Sequence, residues 1–157
     1  MATRNRPSRA GGNPDYFVMI VPWSDAGVML SDVRTTVFVD EQQVPVEIER
    51  DGRDAECIHV LARDLDGHPV GAGRLMPDGR IGRMAVLRDW RGSGVGGAML
   101  VELMAEAKRR GMPEVYLHSQ SHAQAFYARH GFAVDGVEYQ EAGIPHIGMR
   151  ATLNKGV

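Results

Sequence analysis

The chain has 157 residues, 43% of them apolar and 24% charged, the balance of a soluble globular domain with its own core. A net charge of −2 leaves no basic field for a nucleic acid, and no apolar run approaches the ~20 residues of a membrane helix. One cysteine, Cys57, excludes an internal disulfide and a Cys/His zinc cluster, and it fits a reducing, cytoplasmic compartment.

Residues 1–14 carry Arg4, Arg6 and Arg9 but no hydrophobic segment. They predict an unstructured tail rather than a secretory signal, with a phosphate-seeking arm as the alternative. "YFVMIVPW" predicts a first strand. Ser24 and Asp25 are candidate N-caps for an amphipathic helix carrying Met29, Val33, Val37 and Phe38 and ending near Gln42. "VPVEIERDGRDAE" is polar and turn-rich and predicts a loop. "CIHVLARD", "HPVGAGRLM" and "RIGRMAVL" predict three consecutive antiparallel strands. After a glycine-rich stretch, Met99, Leu100, Leu103, Met104 and Ala107 form one helical stripe, with Glu102 and Glu106 opposite and basic residues in the last turn. "EVYLHSQ" predicts a strand, "SHAQAFYARHG" a short helix with a Ser121/Gln124 capping box, and "HIGMRATL" a closing strand. No repeat or second domain is visible.

The glycine stretch, Gly92-Ser93-Gly94-Val95-Gly96-Gly97, satisfies G-x-G-x-x-G. Opening a helix, it exposes backbone N–H groups where the helix dipole adds about half a positive charge, which makes an anion cradle; a tight turn without a ligand is the plainer alternative. A dinucleotide reading fails on context. Polar Arg88-Asp89-Trp90-Arg91 separates the strand from the first glycine, and His118-Ser119-Gln120 stand where a ribose-binding acid belongs. No Gly-Lys-Ser/Thr follows, so a P-loop fails too.

"RMAVLRDWRGSGVGGAMLVEL" resembles the central motif of the GNAT superfamily of N-acetyltransferases. Arg91, Gly94 and Gly96 match its fixed positions, and "AFYARHGF" is similar to its later helix. "VRTTVFVDEQQVP", the spacing of Asp51, Asp54 and His59, and "GIPHIGM" resemble the ElaA/YjcF-like group. The resemblance implies one N-acetyltransferase domain over residues 15–157, an α/β fold with a central, mostly antiparallel sheet flanked by helices, and strands splayed at a cofactor cleft. It implies acetyl-CoA as cosubstrate. Its pyrophosphate would rest on Gly92, Ser93, Gly94, Val95, Gly96 and Gly97 beside Arg91, with Phe126 nearby. Its pantetheine arm would pair with the backbone of Met84, Ala85 and Val86, and an N–H near Val86 would polarise the thioester carbonyl.

Acetyl transfer to an amine has two proton problems. An alkylammonium of pKa about 10.4 costs roughly 4.6 kcal/mol to deprotonate at pH 7, whereas a thiol of pKa about 8.5 costs roughly 2 kcal/mol to leave as thiolate. Tyr127 matches the family position that protonates the coenzyme A sulfur; a packed aromatic is the alternative. Glu41, at the end of the first helix, is a candidate base or a solvated carboxylate. His59, His118 and His146 are candidate acceptor-side residues, with a core position the alternative for His59. His122 reads as surface, Trp90 as cover for the sheet edge, and Cys57 as a small inert hydrophobe. Asp51 and Asp54 are expected to order a loop rather than to hold a metal. Acidic residues in two loops suit a cationic amine, small-molecule or protein, or simply solvate those loops. A homodimer fits the family, and a non-catalytic acyl-CoA-binding or sensing module is the alternative function.

Overall fold

The computed structural model describes residues 15–141 and 143–153; the expected tail at 1–14 lies outside them. β1 (Tyr16–Val21), β2 (Ile58–Asp64), β3 (Pro69–Leu75) and β4 (Ile81–Val86) form an antiparallel sheet in chain order. This sheet is covered on both faces, so its central strands place apolar residues on both sides. The pleat sends Val60 and Ala62 to one face and Leu61 to the other, and each face has its own core. α1 (Trp23–Arg34) packs Ala26, Leu30 and Val33 against Leu61, Ala72 and Ala85. The helix continues to Glu41 as a π-helix, Thr35–Glu41, which still turns Val37 into that core.

α3 (Val95–Arg109) covers the opposite face with Val95, Met99, Leu100, Leu103 and Ala107. Leu100 and Leu103 are fully buried, each contributing roughly 1.5–3 kcal/mol relative to exposure. The same helix packs on a second sheet built from β5 (Glu114–Gln120) and β8 (Ile144–Thr152), with β6 (Ala133–Val134) and β7 (Tyr139–Glu141) also pairing on β8. The expected α/β architecture and the α3 stripe are therefore as observed.

The two sheets touch through one parallel bridge, Arg80 with Tyr116. There the Tyr116 amide donates to Gly79 O at 3.0 Å and the Tyr116 hydroxyl to Asp78 Oδ2 at 2.6 Å. Gly79 has φ +97°, and a Cβ on it would stand 3.1 Å from Glu114 O, so only glycine suits the joint. Beyond this point β4 and β5 share no further ladder among the described residues, so they splay. β4 also carries a bulge. Ala72 pairs with Ala85 and Arg74 with Gly82, two steps on β3 against three on β4, and Arg83 at φ +51° takes up the extra residue.

Local expectations fail where tertiary contacts override them. α1 begins at Trp23 behind Pro22 with no side-chain cap, so Ser24 and Asp25 fall inside the first turn. The buried stripe runs through Leu30 rather than Met29. The Ser121/Gln124 box does not form: α4 (Gln124–Ala128) follows a 3-10 turn, and Ser121 donates to Glu138 instead. The "VPVEIERDGRDAE" loop contains one short helical turn, α2 (Val46–Glu49). Gly79→Ala is expected to lower stability by about 1–3 kcal/mol through strain at positive φ. Urea unfolding checks this; an unchanged midpoint would show that the joint tolerates a side chain.

Candidate active site

The glycine loop lies at the open end of the V, between β4 and α3. Gly92 and Gly94 have φ of +83° and +93°, and Gly94 is the N-cap of α3. The first amide bonded back into the helix is Ala98 N to Gly94 O at 3.0 Å. The amides of Val95, Gly96 and Gly97 precede it and are the orphan donors of the helix start. A side chain at Gly94 would stand 3.3 Å from the Tyr16 hydroxyl, and one at Gly96 would stand 3.6 Å from Phe126. Arg91 braces the loop: its Nε donates to Val86 O at 2.9 Å and its Nη2 to Glu41 Oε1 at 2.6 Å. Trp90 packs edge-on to Tyr16 at 6.2 Å, the covering position expected of it.

A cavity of about 490 Å³ occupies the splay, walled by β4 from Ile81 to Met84 and by β5 from Leu117 to Gln120. Tyr127 lines it from α4, packed against Phe126 and Phe132, and burial pushes its phenol up to about 12. The phenol therefore keeps its proton at neutral pH. Across the cavity, His118, Gln120 and His146 share one face, because Gln120 lies opposite His146 in the β5–β8 register. His146 Nδ1 is 2.8 Å from Ile144 O. A carbonyl only accepts, so Nδ1 carries the hydrogen and Nε2 of the neutral ring keeps its lone pair. The Tyr139 hydroxyl donates to Glu141 at 3.3 Å and stands 2.8 Å from His118 Nδ1. Burial and then the charge of Arg80 lower the pKa of His118.

Three arginines and three carboxylates hold one wall of the cavity together. Arg34, 2% exposed, donates to Glu49 Oε2 at 2.5 Å and to Asp54 Oδ1 at 2.7 Å. Arg74 donates to Asp51 Oδ2 at 2.9 Å and Asp54 Oδ1 at 3.0 Å. Arg83, on the β4 bulge, reaches Glu49 O at 3.1 Å and Asp51 Oδ2 at 3.3 Å. Hydrogen bonding from Arg74 holds the Asp51 carboxyl far below its ordinary range. At Asp54 burial pulls upward, and Arg34 and Arg74 outweigh it. The acidic excess of this loop is thus neutralised internally, as Asp135 is by Arg150 at 3.0 Å. Asp51 and Asp54 order the loop, as expected.

The candidate residues divide accordingly. Met84, His118, His146 and Tyr127 line one cavity. The Ala85 side chain is buried in the core against α1 and not in the cavity. Two expectations need correction. Glu41 does not line the cavity; Arg91 takes its carboxylate, so it links the π-helix to the glycine loop and is not placed as a base. His59 is fully buried, with Nε2 2.8 Å from Asp54 O and its ring 5.0 Å from that of Trp23, so it is a core residue and not an acceptor contact. Cys57 lies off the cavity, its thiol pushed up by burial. Sequence reasoning missed Arg34, Arg74 and Arg83, although an arginine inside an apolar strand such as "GAGRLM" signals a waiting carboxylate. It also missed the pairing of Tyr139 with His118. Asp64, Asp66 and His68 cluster with ligand-like spacing, but Asp64 Oδ1 there accepts the amides of Asp66 and His68 and so closes the β2–β3 turn.

Splayed strands, a glycine loop that caps a helix and a half-buried tyrosine beside the gap form an arrangement that the comparisons assign to an acyltransferase. A model described as "Acetyltransferase (GNAT) domain" matches residues 24–153. The Bacillus subtilis (strain 168) protein named "Uncharacterized N-acetyltransferase YjcF" is 41% identical over 121 residues, 74% of this chain and 86% of YjcF. Escherichia coli ElaA superposes with TM-score 0.78 at 30% identity, over 87% of this chain and 99% of ElaA. An acyl-CoA N-acyltransferase from Pseudomonas aeruginosa gives TM-score 0.77 at 33% identity, over 87% and 99%. The chain belongs to the GNAT acetyltransferase family, in its ElaA/YjcF-like group.

Two outcomes follow from the ionic network. Arg34→Met leaves Glu49 and Asp54 short of a buried partner and is expected to cost about 3–5 kcal/mol in urea unfolding. A loss below 1 kcal/mol, read with the same scale, would show the pair to be dispensable. The folded pKa values of Asp51 and Asp54 are depressed, so their stabilisation is complete above the ordinary carboxylate range. It falls away as pH drops below that range toward the folded values. Asp51→Asn is expected to flatten this acid limb.

Proposed function

We propose that the protein is an N-acetyltransferase that passes the acetyl group of acetyl-CoA directly to a primary amine. The observation that carries the reading is the unpaired edge of β4, which runs from the glycine loop into the cavity that holds Tyr127. An extended arm can add to that edge as a strand, while the amides of Val95 to Gly97 and the α3 dipole hold a pyrophosphate. The bulge leaves one β4 residue outside the β3–β4 ladder, beside the place where a thioester carbonyl needs a donor. The cosubstrate supplies an acetyl group activated as a thioester.

The amine nitrogen attacks the carbonyl carbon; the C–N bond forms and the C–S bond breaks. His146 Nε2 takes the proton of the amine, because the bond of Nδ1 to Ile144 O fixes the tautomer that leaves Nε2 free. The Tyr127 phenol gives its proton to the leaving sulfur and regains one from solvent. Residues 15–157 work as one catalytic domain in the reducing cytoplasm. A dimer is compatible with this scheme and not required by it.

Tyr127→Phe is expected to lower kcat about 100-fold while acetyl-CoA binding, measured by calorimetry, stays close to wild type. Thiol release with an amine panel checks the rate; unchanged turnover removes Tyr127 from the mechanism. Acetyl-CoA binding without turnover on any amine would favour a non-catalytic acyl-CoA-binding module.

A further inference from the structure

Most charges around the cavity are already satisfied. Glu49 is held by Arg34, Arg74 by Asp51 and Asp54, and Arg83 by Asp51 and two backbone carbonyls. Arg80 is different. It lines the cavity, is half-buried, and its guanidinium has no ion pair or side-chain hydrogen bond among the described residues. Its backbone is bridged to Tyr116, which shares a face of β5 with His118 and Gln120. Its charge is felt at His118 and Tyr139.

Arg80 stands at the joined end of the V. Six residue steps along β4, at most about 20 Å and shortened by the bulge at Arg83, separate it from Val86 and the glycine loop. It is therefore too far along β4 to serve the cradle at α3. A planar guanidinium offers paired donors that match a carboxylate. Elsewhere the cavity wall includes the apolar side chains of Phe38, Ile48, Ile81, Leu117 and Ile144, which suits an apolar body.

We propose that the acceptor is a small amine with an apolar body and a carboxylate, and that Arg80 is the residue that selects for the carboxylate. The inference rests on the acetyltransferase reading above and names the substrate class of that same site. An amine without the carboxylate leaves a guanidinium desolvated and unpaired in the filled cavity, so it is discriminated against by what it fails to satisfy.

The test compares apolar amino acids with their decarboxylated amines, leucine with isoamylamine and phenylalanine with phenethylamine. Thiol release from acetyl-CoA is measured with wild type, Arg80→Gln and Arg80→Lys, and equal melting temperatures certify the fold. The carboxylated member of each pair is expected to have the higher kcat/KM by about tenfold or more, set mainly in KM. Arg80→Gln is expected to bring that ratio toward one, and Arg80→Lys to keep part of it. Acetylation of the plain amines with no carboxylate preference, or a preference that survives Arg80→Gln, overturns the inference and leaves the acetyltransferase reading standing. Turnover on none of the four, with acetyl-CoA binding retained, also overturns the inference alone. Loss of both turnover and acetyl-CoA binding overturns both readings.

Discussion

The contact between Arg80 and Tyr116 fixes where the two sheets meet, and so where they part. Joining β4 to β5 at one end only leaves a backbone edge without a partner, an arrangement that a closed sheet would forbid. Everything at the site hangs from that wedge. The glycine loop sits at its open end, Tyr127 on one side of the gap, and His118 and His146 on the other. Gly79 eases the joint, because its φ of +97° and the Glu114 carbonyl 3.1 Å from where a Cβ would stand make any side chain there strained. The α3 helix keeps the halves from drifting, since one apolar stripe packs on both sheets.

A wedge in a sheet exposes polar backbone and loosens its walls. One wall of the cavity is stiffened by charge instead of by strands. Arg34 enters from α1, Arg74 from β3 and Arg83 from the β4 bulge, and all three converge on the segment that carries Glu49, Asp51 and Asp54. Balanced buried charges of this kind are costly to break, which holds the loop in one place over the cavity. Beside the glycine loop Arg91 plays a similar part between Val86 and Glu41. Glu41 thus belongs to the scaffold that positions the loop.

Much of this was legible in the chain. The α3 stripe declares itself by period, and the glycines declare the tight turn that opens the helix by their conformational freedom. The three antiparallel strands follow from short turns between apolar runs. Local signals ran out where partners are distant in sequence. Nothing near Glu41 announces Arg91, fifty residues on, and His59 sits in a strand whose two covered faces only the assembled helices reveal. β6 and β7, of two and three exposed residues, are too short to show a period. The Ser121/Gln124 pair had the right spacing for a cap, but a carboxylate at Glu138 offered Ser121 another partner.

The central claim is that acetyl-CoA lies along the free edge of β4 and rests on the start of α3. Amide hydrogen exchange with and without acetyl-CoA reads both places at once. The account predicts slowed exchange at Met84 to Val86 and at Gly92 to Gly97, with little change in β1 and β2. Exchange unaltered at those two segments under saturating acetyl-CoA would contradict it.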